Sequence, residues 1–365
     1  MILEDDLIYK IALSQIKGVG DITAKKLISH CGSAALVFTE NKKSLASISN
    51  INKKTIDFIN SAESLKRAEK EIKLMEKNNI NHLFYTDKQY PNKLKLCTDS
   101  PINLYYKGNI DWNNQRFLSI VGTRKSTQFG KEYTQNLISE LAQYNIVIVS
   151  GLAFGIDIAA HKAALHNGLD TVAALAHGLD RVYPSQHANV AQEIMQQGAL
   201  LSDYMCGVAP DRQNFPSRNR IVAGISDATI VIESSKKGGS LITADIANSY
   251  NRDVFAVPGK PIDKQSEGCN YLIKNHKAIL LHNVNDIVKN LNWDLQEKAV
   301  QQSLFNSLTN EEELIIEVLE QKALHVDEIK QKLQWHSSKI AKHLLQMEFK
   351  DIIIPLPGKI YKRRM

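Results

Sequence analysis

Gly122, Thr123, Arg124 and Lys125 follow a short apolar run, Phe117–Val121, and precede a long polar–apolar segment. Strand, glycine turn and helix start in that order aim backbone N–H groups and two cations outward, which suits a phosphate. An ordinary turn with a solvated basic pair has the same sequence. Related groups recur downstream. Ser150, Gly151 and Gly155 end a second apolar run. Phe215, Arg218, Asn219 and Arg220 combine an aromatic face, two guanidiniums and an amide, a set that stacks bases and holds phosphates. The competing reading makes Phe215 core and both arginines salt-bridged. Lys237, Gly238, Gly239 and Ser240, followed by Thr243, form an anion nest with hydroxyls before a helix. Alternatively this is a helix start capped by Ser240.

These turns need a frame that gathers them. From residue 117 to 291, apolar runs alternate with helical patterns: Phe117–Val121, Ile146–Val149, Thr171–Ala176, Ala199–Leu201, Ala228–Ile232, Val254–Val257 and Ala278–Leu281. That rhythm predicts a parallel, doubly wound α/β sheet. Ligands of such sheets bind beyond the C-terminal strand ends. The glycine and cation turns therefore fall on one rim, which fits a polyanion better than a single phosphate. Several enzyme classes lack their motif. There is no G-x-G-x-x-G, no G-x-x-x-x-G-K-[ST] phosphate loop and no G-x-S-x-G nucleophile elbow. Asp157 and His161, four apart, read as a helix-start carboxylate hydrogen-bonded to a structural histidine, with a metal pair as the alternative. The expectation is no catalytic residue, no metal and no cofactor.

Residues 1–85 read as an all-α domain. Gly18 and Gly20, with Lys25 beyond, give the apolar-x-Gly-apolar-Gly turn of a helix-hairpin-helix, a candidate phosphate contact. A plain helix–helix turn is the other reading. Residues 86–116, rich in Pro, Asn and Gly, read as a connecting segment, and 292–308 as a linker. In 309–365, Thr309 with Glu312 predicts a capping box on a helix, Asn310–Gln321. Two more helices and a terminal hairpin complete a winged helix whose third helix carries Lys339, Lys342 and His343, ahead of a basic Lys362-Arg363-Arg364 tail.

The charge balance, net +6 over 365 residues, is compatible with an acidic partner. The four cysteines (Cys31, Cys97, Cys206 and Cys269) are scattered, which argues against a zinc site and for reduced thiols. The acidic N-terminus is unlike a secretion signal, and no apolar run approaches a membrane span, so the expectation is a cytoplasmic protein.

Taken together, VGTRKST, SGLAFGIDIAAH, GLDRVYP, FPSRNRIVAG, GGSLITAD and FAVPG resemble, in order, the motifs of the bacterial DNA-processing protein A family (DprA, also called Smf). Tyr90-Pro91 and Pro101–Gly108 fit it as well. The resemblance implies an extended Rossmann-like core that binds single-stranded DNA in natural transformation, shields incoming strands and helps load the RecA recombinase without being an enzyme. It implies Arg124 as the phosphate-binding arginine, with Lys125 as helper, and Phe215–Arg220 as groove lining. It also implies homodimerisation near Leu272–Leu281. Two departures stand out: Lys236-Lys237 before the Gly-Gly turn, and Asn275-His276-Lys277-Ala278 where Gly-Ala is usual. The rival is a Rossmann-fold hydrolase of nucleoside monophosphates. Its Gly-Thr and catalytic Glu after the Gly-Gly are replaced here by Leu241 and Ile242, with Asp245 the nearby acid.

Overall fold

The computed structural model describes residues 2–49, 51–59, 61–113, 115–293, 309–319, 322–349, 352–356 and 358–363. The 292–308 linker lies almost wholly outside them, as do the end of the Asn310–Gln321 prediction and Arg364. The chain divides into two compact units, Met1–Trp293 and Asp294–Met365.

The first unit is built on one sheet. Its strands are β1 (Asn81–Phe84), β2 (Asn103–Gly108), β3 (Arg116–Val121), β4 (Ile146–Ser150), β5 (Thr171–Ala174), β6 (Gly198–Ser202), β7 (Ala228–Val231), β8 (Asp253–Ala256) and β9 (Ile279–Leu280). They lie in the order β1-β2-β6-β5-β4-β3-β7-β8-β9. From β6 to β9 every pairing is parallel, while β2 joins β6 and β1 joins β2 antiparallel. All seven apolar runs are strands. They read as near-continuous apolar stretches because helices cover both faces. Successive residues serve opposite layers. Phe117, Val121, Val147 and Val149 pack with Ile221, Val222, Ala244 and Ala247. Leu118, Ile120, Ile146 and Ile148 pack with Leu137, Ile138, Ile156 and Ala160.

The connecting segment needs correction. Residues 86–116 carry a short helix, Asn92–Lys95, and strand β2, and their Tyr90, Leu94 and Leu104 are fully buried in the sheet's core. Tyr90 donates to the Pro101 carbonyl at 2.6 Å, satisfying its hydroxyl inside that core. Two of the sheet's nine strands thus precede β3.

Residues 2–77 are helical, and their core includes Leu13, Ile16, Leu27, Val37, Leu45 and Ile56 together with Phe84 and Ile102. The hairpin's second helix, Asp21–Cys31, docks through polar contacts. The Ile102 amide donates to Asp21 at 2.9 Å, and Lys25 Nζ donates to Ser100 Oγ at 2.6 Å and the Thr98 carbonyl at 3.1 Å.

The second unit has helices Asn310–Leu319, Val326–Leu333 and Ser337–Phe349. Its sheet orders β10 (Leu324–His325), β12 (Ile360–Arg363) and β11 (Ile353–Leu356). Thr309 and Glu312 exchange the expected capping bonds, at 2.9 and 3.3 Å. Ile315, Leu319, Ile329, Ile340, Leu344 and Met347 form its core.

Candidate nucleic-acid interface

The chain leaves β3 toward β4, β5 and β6 on one side, then returns to place β7 on the other. That reversal opens a crevice outside the C-terminal ends of β3 and β7, where doubly wound sheets hold ligands. The Thr123 amide donates to the Glu233 carbonyl at 2.8 Å, tying the two strand exits together. The Thr127 side chain caps the helix Gln128–Leu141. The Glu233 carboxylate, 3% exposed, accepts from the Thr127 amide at 2.9 Å and from its hydroxyl. This acid at the strand exit is therefore taken up by a helix N-terminus, where the dipole favours it.

A cavity of about 240 Å³ fills the crevice. Ten of the expected residues line it: Gly122, Thr123, Arg124, Phe215, Arg218, Asn219, Gly238, Gly239, Ser240 and Thr243. Arg124 is exposed, and its guanidinium carbon lies 4.9 Å from the Phe215 ring centroid, within cation–π range. Tyr183, 46% exposed, continues the aromatic surface with its ring 6.2 Å from Phe215. Arg218 is buried at 4% exposure and donates to the Ala174 carbonyl. Its guanidinium occupies the space where a side chain on Gly151 would lie.

The helix Gly239–Ser249 starts without a side-chain cap, and Ser240 Oγ instead donates to Ser234 Oγ at 2.9 Å. Its first turn is left facing the cavity through Gly239, beside which a Cβ would meet open space.

Other expected residues lie elsewhere. Ser150 is fully buried, its Oγ donating to the Ile120 carbonyl at 2.6 Å. Lys125 and Gly155 line a neighbouring cavity. Lys237 is exposed beside the Gly-Gly turn but is not among the cavity-lining residues. Arg220 turns away from the crevice. It pairs with Asp203 at 2.7 Å and Asp21 at 3.0 Å and donates to the Asp99 carbonyl. At the hairpin, Gly18 holds φ +88° and Gly20 precedes the second helix. Lys25 is committed to Ser100 and Thr98, and burial lowers its pKa.

The Asp157–His161 expectation is corrected. Asp157 accepts from the Gly151 amide at 3.1 Å, while His161 Nδ1 pairs with Thr171 Oγ1 at 2.7 Å. Both are structural, but they do not pair with each other: the partner of Asp157 lies in the turn after β4, and that of His161 on β5. Burial pushes His161 down to about 3 and keeps it neutral. Asp157 also lines the cavity, a role its spacing did not suggest. Burial raises its pKa against the pull of Arg218 and of two backbone amides. Pro216, within the expected Phe215–Arg220 lining, and Val121, Ala153 and Ile242, unforeseen, complete the wall. Among the described residues no group of three or more His, Cys, Asp or Glu is placed to hold a metal ion. No described helix is long and apolar enough to cross a membrane.

Gly155 sets the Arg124 turn. Its φ is +81°, and a Cβ there would overlap the Thr123 carbonyl and the Arg124 backbone. Gly168 has a similar φ of +70° but open space around it. Gly168→Ala is expected to lose about 1–2 kcal/mol, the cost of left-handed backbone. Gly155→Ala should lose clearly more, because the turn must also move. Equal losses in urea denaturation would remove the packing role given to Gly155.

The fold and crevice define a doubly wound α/β protein with a cleft lined by arginine and phenylalanine, preceded in the chain by a helical region and followed by a winged helix. The chain belongs to the DNA recombination-mediator protein A family, which it matches over residues 81–292; residues 302–359 match the DprA winged helix domain. It is 36% identical to Protein Smf of Synechocystis over 277 residues, 75% of this chain and 70% of that one. It is 42% identical to DNA processing protein DprA of Streptococcus pneumoniae over 188 residues, 52% of this chain and 66% of that one. The X-ray structure of the S. pneumoniae DNA processing protein A superposes with a TM-score of 0.64 at 31% identity, covering 77% of this chain and 97% of that one. DNA processing protein A from Helicobacter pylori, whose structure concerns its single-stranded DNA binding mode, gives a TM-score of 0.53 at 32% identity, over 59% and 96%.

Proposed function

We propose that this protein is a non-catalytic single-stranded DNA-binding protein. It protects incoming DNA and helps load the RecA recombinase in natural transformation and recombination, acting in the cytoplasm as a homodimer. The observation that carries the reading is Arg124 lying over Phe215 in a cleft that also presents the Gly238-Gly239 turn. A guanidinium, an aromatic ring and a helix start without a side-chain cap are the parts that hold a strand by backbone and stacking. The H. pylori relative's single-stranded DNA binding mode supports the same ligand. The exposed edge residues Ile279 and Leu280 of β9, and the exposed Tyr271 on the helix before it, support self-association at the sheet's end. Glu233 is engaged by Thr127, and the cavity-lining Asp157 by the Gly151 amide and Arg218, which supports structural roles for both acids.

The test is a salt titration of labelled single strands and duplex with wild type and Arg124→Ala. Wild type should prefer the single strand, with log affinity falling by about 0.7 per phosphate contact per decade of salt. Arg124→Ala should bind about 10–100-fold more weakly, the loss of one charge-assisted contact, and flatten that slope. Unchanged affinity at low salt would reject the cleft as the strand site. Release of free base from nucleoside monophosphates by the purified protein would reject the non-catalytic assignment.

A further inference from the structure

Beyond Arg124 the cleft does not end. A second cavity of about 460 Å³ shares Arg124 with the first and is lined also by Lys125, Lys131, Phe154 and Lys162. A third, of about 550 Å³, shares Lys162 and Gln135 with the second and continues past Asn136 to His166 and Asn167. The second and third lie along the furrow between the helices Gln128–Leu141 and Ile156–His166, and the second meets the first at Arg124. From Lys131 to Ser139 the furrow runs about 12 Å along the first helix, at 1.5 Å per residue.

Its chemistry is one-sided. No carboxylate lines the second or third cavity. Lys125, Lys131 and Lys162 are exposed and form no ion pair among the described residues. Such unneutralised cations, converging on one furrow that opens from a phosphate-accepting cleft, suit consecutive backbone phosphates. Gln135, Asn136 and Asn167 add neutral hydrogen-bonding groups for bases or sugars. Phe154, 43% exposed, stands at the junction, its ring 4.8 Å from His187 in an edge arrangement that leaves a face open for stacking.

We propose that this furrow is a second strand-binding segment: single-stranded DNA leaving the Arg124–Phe215 cleft turns past Phe154 and runs between the two helices, its phosphates held by Lys131 and Lys162. This rests on the strand-binding reading of the cleft. A short strand fills the cleft alone, and a longer one occupies both.

The test compares Lys131→Gln/Lys162→Gln with wild type and Arg124→Ala, using single-stranded oligonucleotides of about four and about twelve nucleotides, the span of strand-binding site sizes. Both lysines are exposed on helix surfaces, and circular dichroism checks that the variant is folded. The expected result is short-strand affinity within twofold of wild type, long-strand affinity reduced at least tenfold at low salt, and a long-strand salt slope lowered by about 1.4, two contacts at 0.7 each. If the double variant binds the long strand like wild type while Arg124→Ala weakens both lengths, the furrow is overturned and the cleft stands. If both lengths weaken equally in the double variant, the lysines act only through the general field, and the furrow is again overturned. If Arg124→Ala weakens neither length, the reading of the cleft fails, and this proposal with it.

Discussion

Arg220→Ala should lower the unfolding free energy by about 3–5 kcal/mol, the cost of breaking a buried ion pair from one side. Arg220, 15% exposed in its side chain, sits between Asp203, 8% exposed, and Asp21, 25% exposed. Burial works against its charge, but the two carboxylates more than offset this and raise its pKa. Asp203 is itself pushed up by burial, with Arg220 the main opposing influence. Its Oδ1 already lacks a hydrogen-bond partner. Removing the guanidinium leaves that carboxylate uncompensated, and it unties the helix Asn214–Ile225 from the hairpin's Asp21. Single-strand affinity of the folded variant should stay within about threefold of wild type, less than one hydrogen bond's contribution. The urea midpoint, followed by titration in conditions where the variant is folded, reads both quantities. An unchanged midpoint with lost binding would return Arg220 to the strand site.

That arginine also shows where sequence reading stopped. Arg218 and Arg220 lie two apart in FPSRNR, and on a helix two residues turn the chain by about 200°. The motif places both on one element but cannot aim them at one ligand. One faces the cleft and the other the N-terminal domain, a split decided by Asp203 and Asp21, which come from distant segments. Lys25 is a similar case, its partners Thr98 and Ser100 lying beyond the domain boundary that composition suggests. The parallel strands were legible because burial on both faces writes them as unbroken apolar runs. Strand β2, by contrast, reads Asn103-Leu104-Tyr105-Tyr106-Lys107-Gly108, half polar and flanked by prolines and asparagines. Its antiparallel pairings, with β1 and with β6 far along the chain, make it a strand. The Asp157–His161 spacing suits a shared helix face, yet Asp157 bonds the turn after β4 and His161 bonds Thr171 on β5.

Arg218→Ala should be costly in a different way, and pH separates the two cases. Arg218 is almost fully buried against Gly151, bonds to the Ala174 carbonyl, and is the main influence holding the Asp157 carboxyl down against burial. Burial likewise lowers the pKa of Arg218, with Asp157 the main opposing charge, so each offsets part of the other's cost of burial. Without the guanidinium, Asp157 rises further above its unfolded value. A carboxyl raised in the folded state contributes stability that is fully present below its unfolded pKa and is lost as pH rises through the folded one. The variant should therefore lie about 3–5 kcal/mol below wild type at pH 7 and less far below it at pH 5. Adding Asp157→Asn should recover part of the loss at pH 7 and remove the extra pH dependence, since no charge then needs a partner. Strand binding should remain weak in the stabilised double variant, because the cleft still lacks one of its two guanidiniums. Urea midpoints at the two pH values, with oligonucleotide titrations of the double variant, make the measurement. A deficit that is the same at both pH values and untouched by Asp157→Asn would mean that Arg218 acts through packing alone, and full recovery of binding would remove it from the strand site.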